Sequence, residues 1–279
     1  MKVLDYGFVK VIDTFGGDED IVKGARISYG AGTKSVSDDE SLIRYLMRHD
    51  HTSPFEFPVI RLHIKLPIYV ERQWSRHRTA SWNERSLRYS EAVDEFHETE
   101  ANEWRTQSKS NKQGSEPENQ IGPIVGKELT SSEAVSRVHS TCAYNKLVEE
   151  GVSREQARKV LPVSLYTEKI WQCNLHNLFH FLRLRLSASA QKEIRLYAET
   201  IADYVKDWVP MSWKAFKDYK LDSLTLSGPE LKILQKLTNG GDYSATAALK
   251  ILNAIPNKRE KEELISKLAR IGGLQLDGK

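Results

Sequence analysis

Cysteine is scarce in this chain, which has only Cys142 and Cys173 in 279 residues. Two isolated thiols exclude a disulfide framework and a cysteine-rich zinc site, and they suit a reducing compartment. Long apolar runs are missing as well. No stretch approaches the roughly 18–20 residues of a membrane span, and the opening MKVLDYGFVK lacks the apolar segment of a secretory signal. The expectation is a soluble, cytoplasmic protein. A general basic excess is also absent: 41 Lys and Arg face 38 Asp and Glu, for a net charge of +3. That argues against a general nucleic-acid binder. There is no GxGxxG turn behind a strand and no Walker loop, so no nucleotide is held here by a Rossmann glycine turn.

What is present is enough apolar residue, 39% of the chain, for one large domain with an appendage. Residues 2–12 alternate as a first strand, and DEDIVKGARISY (18–29) reads as a helix opened by acids. Ser37 and Glu40 form a capping box for a helix from about residue 38. Phe57, Val59, Leu62, Ile64 and Leu66 mark a strand with one slip in its alternation. Pro67 suits the N1 position of a following helix. Past Arg78 an ordered loop is expected, and the polar stretch 98–127 is a surface excursion or a lid. Helices are expected at 130–150, 153–161, 174–187 and 190–209, with SLYTEKIWQC (164–173) as a strand. After residue 222 three short helices carry their own start signals: Ser227 with Glu230, Asp242 after Gly240-Gly241, and Asn257 with Glu260.

Charge is concentrated in RHRTASWNERSLRY (76–89), with four arginines, one histidine and one glutamate. The helix leading into it places Tyr69, Gln73 and Arg76 on one face, with Val70 and Trp74 as an apolar pair. Arginine forks match phosphate geometry, Gln and Asn offer paired contacts to a pyrimidine or flavin edge, and Glu84 suits an arginine or a sugar hydroxyl. A solvated loop with local ion pairs explains the same charges equally well. A helical wheel of 174–187 adds a second feature, because Asn174 and Arg185 fall in the sector of Leu175, Leu178, Phe179, Phe181, Leu182 and Leu186. An arginine directed at apolar neighbours needs a partner, either a buried carboxylate or an anion in a pocket. His176, His180 and Arg183 fall opposite. The two histidines have the i, i+4 spacing of metal ligands but no neighbouring Glu and no third ligand, so no metal site is expected. Cys142 continues the Val135, Val138 spacing and reads as core, and Cys173 reads as a packed thiol.

The loop resembles the RHRxxSxNExSxRY signature of flavin-dependent thymidylate synthases at every defined position. HTSPFEF (51–57), ERQWSRHR (71–78), REQARKVLP (154–162), LYTEKIWQCN (165–174) and FLRLR (181–185) extend the likeness over roughly residues 1–220. The resemblance implies an α+β fold, a central, largely antiparallel sheet flanked by long helices. A synthase domain would occupy 1–221 and a small helical C-terminal extension of unknown role 222–279. It implies a homotetramer, with sites between subunits, that converts dUMP to dTMP. The carbon comes from 5,10-methylenetetrahydrofolate and the hydride from FAD reduced by NADPH, without a cysteine nucleophile. Carried over by position, Gln73, Arg76, Glu84, Arg85, Ser86, Leu87, Arg88, Arg158 and Arg185 hold dUMP, with Arg185 and Ser86 as the catalytic residues. Ser53, Arg76, His77, Arg78, Glu84, Asn174, His176 and His180 hold FAD, and His51 lies near the flavin and folate ring. Two departures stand out: Ser189 where some members carry a histidine, and His180 where others carry an asparagine. Residues 222–279 match no part of the family pattern. A single-stranded nucleic-acid module, stacking bases on Trp74, Trp82 and Tyr89, is the competing expectation.

Overall fold

The strand expected over residues 2–12 is broken in two, β1 (Lys2–Val3) and β2 (Gly7–Phe15), by a turn in which Leu4 adopts φ 57°. Gly7 opens β2 because a Cβ there would overlap the Tyr197 hydroxyl and the Val3 carbonyl, an approach only glycine allows. The computed structural model describes residues 1–27, 38–90, 92, 94–108, 114–239, 252, 255 and 257–271. Helix α1 (Asp18–Ile27) begins on three acidic residues, favourable charge for a helix N-terminus. Helix α2 (Asp39–Arg48) is capped by Asp38, whose carboxylate accepts from the Ser41 N–H at 2.8 Å. The expected cap, Ser37, lies outside the described residues.

In β3 (Val59–Pro67) the slip in the apolar pattern resolves. Ile60, Leu62, Ile64 and Leu66 are fully buried on one face, whereas Val59 is only half-buried and Phe57 is exposed before the strand begins. Pro67 is the N-cap of α3 (Ile68–Trp74), not its first residue. The expected loop contains a strand, β4 (Ser81–Glu84). Its four side chains are exposed, so no two-residue alternation reveals it. In the 98–127 excursion, β5 (Arg105–Gln107) and β6 (Ser115–Gln120) pair antiparallel. The excursion is anchored, since Trp104 Nε1 donates to Thr130 Oγ1 at 3.0 Å and Arg105 pairs with Glu193 at 2.6 Å.

Helix α4 (Pro123–Glu149) starts seven residues before the expected 130, because Pro123 occupies its first turn behind Gly122. Cys142, Val135 and Val138 are exposed on it, not core as expected. Their regular spacing marks one helix face, but that face is not laid against this chain's own core. The helix expected over 153–161 is α5 (Arg154–Ala157) followed by a 3₁₀ turn, Arg158–Val160. Leu161, ahead of Pro162, is extended, as proline demands of its predecessor.

The chain then runs through β7 (Tyr166–Asn174), α6 (Leu175–Arg185), α7 (Lys192–Trp208) and α8 (Pro210–Phe216). The main sheet has the order β1-β2-β3-β7-β4 with every pairing antiparallel, the α+β arrangement expected. Its apolar rows share one core with α1, α2, α3, α6, α7 and α8, centred on Trp74, Trp171, Phe181 and Tyr197. Residues Met1–Leu221 form one compact unit and Asp222–Lys279 another. In the second unit, α9 (Gly228–Asn239) carries the expected reciprocal box: Ser227 N donates to Glu230 Oε2 at 2.6 Å and Glu230 N to Ser227 Oγ at 3.4 Å. Asn257 Oδ1 caps a helix over Lys258–Ile271 by accepting from Arg259 N at 3.0 Å. The start expected at Asp242 lies outside the described residues.

Helix α8 has no side-chain cap of its own at Val209. Asp18 of α1 supplies one, its buried carboxylate accepting from Met211 N at 2.8 Å and Ser212 N at 3.0 Å. Asp18→Ala leaves both donors unpartnered and is expected to cost about 2 kcal/mol. Urea unfolding should show that as a lowered midpoint, with a smaller loss for Asp18→Asn.

Candidate active site

Helix α3 ends at Trp74, where the chain turns through Ser75 N to Glu71 O at 2.8 Å and His77 N to Trp74 O at 2.9 Å. Arg76 therefore leaves the helix and is exposed, so the expected Tyr69–Gln73–Arg76 face stops at Gln73. Val70 and Trp74 are fully buried, as their pairing suggested. His77 turns inward and is 8% exposed, its ring edge-on to Phe181 at 4.9 Å. Arg185, the last residue of α6, comes to meet it. Arg185 Nε donates to His77 Nε2 at 3.0 Å, and Nη2 donates to the Gln73 carbonyl at 3.2 Å. Among the described residues the inward-facing arginine thus has no carboxylate; its partners are an imidazole and a free helix-end carbonyl. Burial, then the charges of Arg185, His180 and Lys169, pushes the His77 pKa down to about 4. Next to them the buried Gln73 Oε1 has no hydrogen-bond partner among the described residues.

One side of α3 lines a cleft of about 760 Å³. Into it converge Glu84, Arg85, Ser86 and Leu87 of the signature loop and Arg158 of the turn after α5. Pairing of β4 with β7 (Asn83 opposite Ile170, Glu84 opposite Lys169) holds the loop there, and Arg85 N donates to Glu168 O at 2.8 Å. Glu84 does not pair with an arginine; Thr167 Oγ1 donates to it at 2.8 Å. Arg88 stands at the margin, 3.6 Å from Glu155, with its N–H on Ser86 Oγ at 3.3 Å. The sequence offered no hint of a buried ion pair between Glu71, which lines the cleft, and Lys169, whose ammonium is 4.5 Å from the Trp74 ring centroid. Burial lowers the Lys169 pKa to about 8, against the pull of Glu71. Lysine faces inward because Trp171 and Cys173 set the phase of β7, which turns Ile170 outward.

A second pocket, of about 250 Å³, gathers His51, His176 and His180 with Phe55, Phe179, Arg183, Phe216 and Lys220. Ser53 lies in an adjoining cavity with His51 and Thr52. Asn174 has a structural task, capping α6 by accepting from Asn177 N at 2.9 Å. Among the described residues no group of three or more His, Cys, Asp or Glu is placed to hold a metal. The ring of His180 is 5.8 Å from that of His77, so the histidine pocket borders the Arg185–His77 pair. Arg76 and Arg78 are exposed and line neither pocket. Whereas Arg26, Arg44, Arg105 and Arg137 pair with carboxylates, no such partner is found among the described residues for Arg76, Arg78, Arg158 or Arg183. Unpaired guanidinium groups, an orphaned amide oxygen and an aromatic-walled histidine pocket fit a phosphate-bearing flavin and a pyrimidine nucleotide. Trp74, one of the three aromatics suited to base stacking, is core, which weakens the nucleic-acid reading.

The model of the family described as "Thymidylate synthase complementing protein" matches residues 10–211. A flavin-dependent thymidylate synthase of Thermus thermophilus is 52% identical over 237 residues, 85% of each chain. The chain belongs to the flavin-dependent thymidylate synthase family. Ehrlichia ruminantium (strain Gardel) has a flavin-dependent thymidylate synthase 48% identical over 270 residues, covering 96% of this chain and 88% of its own. That match runs into residues 222–279, for which no counterpart was expected. Among solved structures, the UMP/dUMP methylase PolB from Streptomyces cacaoi, bound with 5-Br dUMP, superposes with a TM-score of 0.69 at 29% identity. It covers 80% of this chain and 100% of its own.

His77 has a depressed folded pKa, so between pH 6.5 and about 4 the unfolded chain binds the proton that the folded chain refuses. Stability is therefore complete above pH 6.5 and falls as the pH drops through that window, by at most about 3 kcal/mol from this group. Urea unfolding between pH 4 and 7 should show the slope, reduced in His77→Gln. His180, lowered by burial and by Arg183, adds in the same direction.

Proposed function

We propose that the protein methylates dUMP to dTMP reductively, with 5,10-methylenetetrahydrofolate as carbon donor. The observation that carries this is the convergence of Glu84, Arg85, Ser86, Leu87 and Arg158 on one cleft, with Arg185 bonded to the Gln73 carbonyl at the end of the helix that walls it. Arg158, Ser86 and Arg88 suit the nucleotide phosphate, and Glu84 and Arg85 suit the sugar. Gln73 and Arg185 present paired donors and an acceptor to the uracil ring. Arg185 would favour the ring with its N3 proton released, holding the negative charge on N3 and O2, and that charge makes C5 nucleophilic enough to attack the folate methylene. A flavin held here and reduced by NADPH would supply the hydride that completes the methyl group, with tetrahydrofolate as the other product. His51, His176, His180 and Ser53, with the guanidinium groups of Arg76, Arg78 and Arg183, are the residues that would hold the flavin and the folate ring. No cysteine takes part: Cys173 is buried, with its thiol pKa pushed up by burial, and Cys142 is exposed on α4.

The signature cleft and the histidine pocket are separate in one chain, so a site that uses both is best built between subunits. Helix α4 supports self-association into a homotetramer, since Ile124, Val135, Val138 and Cys142 leave an apolar stripe exposed along it. Among the described residues no helix is long and apolar enough to cross a membrane, in keeping with a cytoplasmic nucleotide enzyme.

Anaerobic turnover of dUMP with methylenetetrahydrofolate, NADPH and FAD should yield dTMP. Flavin oxidation without dTMP, or a purified protein that takes up no flavin, would sink the reading. Arg185→Ala is expected to lower kcat about 10²- to 10³-fold, whereas Cys173→Ala keeps its activity; the reverse pattern would mean a cysteine nucleophile. Val135→Glu with Val138→Glu should lower the assembly state seen by light scattering and reduce turnover with it.

A further inference from the structure

Arg185 is held by one edge only. Of its five N–H donors, the one on Nε goes to His77 Nε2 at 3.0 Å and one on Nη2 goes to the Gln73 carbonyl at 3.2 Å. Both bonds lie on the side facing α3. The two donors of Nη1 and the second donor of Nη2 remain for a ligand. The Gln73 carbonyl is available because α3 ends at Trp74, so no following turn uses it. That bond is made by the backbone and survives any substitution at position 73. The side-chain control over Arg185 therefore rests on His77.

The His77 ring has little freedom. It is 8% exposed, edge-on to Phe181 of α6 at 4.9 Å and 71°, and 5.8 Å from the His180 ring. An arginine Nε always carries hydrogen, so the imidazole nitrogen it meets must be a lone pair. The His77 proton is then on Nδ1. A doubly protonated ring would set one donor against another and place two cations side by side, while Lys169 adds further positive charge around it. The surroundings and the hydrogen bond select the same state, a neutral acceptor.

We propose that His77 is a positioning residue for Arg185: as a neutral Nδ1–H imidazole it accepts the Nε–H and aims the outer edge of the guanidinium at the uracil ring. This rests on the dUMP-methylating reading above. Without the acceptor, a flexible arginine at a helix end keeps its charge and its bond to the Gln73 carbonyl but loses its orientation.

The test uses 5-fluoro-dUMP, whose ring N3–H is more acidic than that of uracil, on the FAD-loaded enzyme without folate, so no turnover occurs. Its ¹⁹F resonance, followed against pH, reports ionisation of the bound ring. On the native enzyme the midpoint should lie below that of the free nucleotide, because Arg185 favours the anion. His77→Leu should return it towards the free value and raise the dUMP dissociation constant about tenfold, the scale of one hydrogen bond to a charged group. His77→Gln, whose amide oxygen can accept from Nε, should restore most of both. A native midpoint in His77→Leu would overturn the role of His77 and leave the proposed reaction intact. If the native enzyme neither binds the nucleotide nor lowers its midpoint, the proposed function fails and His77's role falls with it. Should the leucine variant not fold, ¹⁵N spectra of ring-labelled native enzyme decide. An unprotonated Nε2 and a protonated Nδ1 at position 77 near neutral pH are expected, and the opposite tautomer refutes the assignment.

Discussion

The seat of α3 against β7 and α6 is the constraint on which the rest of the site depends. Trp74 packs 4.6 Å from Phe181 and 5.6 Å from Trp171, with the Lys169 ammonium 4.5 Å from its ring centroid. Glu71, one turn earlier, closes a buried ion pair with that same lysine. Such a pair adds little stability over apolar packing, but losing either partner strands a buried charge. Its consequence here is geometric: α3 has one rotation and one depth. That rotation turns Glu71, Arg72 and Ser75 to the cleft and leaves the Gln73 carbonyl and His77 for Arg185.

The histidine pocket depends on the same core from the other side. Phe181 touches both Trp74 and His77, while Phe179, two residues earlier on α6, stacks on Phe216 at 4.2 Å. One helix thus shares its apolar residues between the wall behind Arg185 and the wall of the pocket holding His176 and His180. The sheet does the matching work for the signature loop. An edge strand of four exposed residues hangs on β7 by its backbone and by the Thr167–Glu84 hydrogen bond, which leaves most of its side chains and those of the following residues for a ligand.

Much of this was legible beforehand. The signature loop and the inward sector containing Arg185 could be read because clustered or inward-facing arginines need a partner, whereas Arg158 was expected from the family resemblance alone. The strands β3 and β7 and the helices α6 and α7 followed from periodicity. What escaped has physical causes. The strand β4 shows no alternation because neither of its faces is buried. Cys142, Val135 and Val138 have the spacing of a core stripe, yet spacing reports that a face is apolar, not what covers it. The Glu71–Lys169 pair is two charged residues 98 apart, joined only once α3 and β7 are in place. The capping of α6 by Asn174 was not foreseen beside the flavin contact expected of it.

The sequence by itself determined the family, the antiparallel α+β core and the set of side chains suited to a phosphate-bearing nucleotide, because these reside in local pattern and residue chemistry. Tertiary structure alone decided how those side chains are shared out. Glu84, Arg85, Ser86, Leu87 and Arg158 fall to one cleft and His51, His176 and His180 to another pocket. His77 faces the guanidinium of Arg185. That sharing depends on where α3 stops and on the phase of β7, which are set by packing between elements distant in the chain, and no local pattern encodes it.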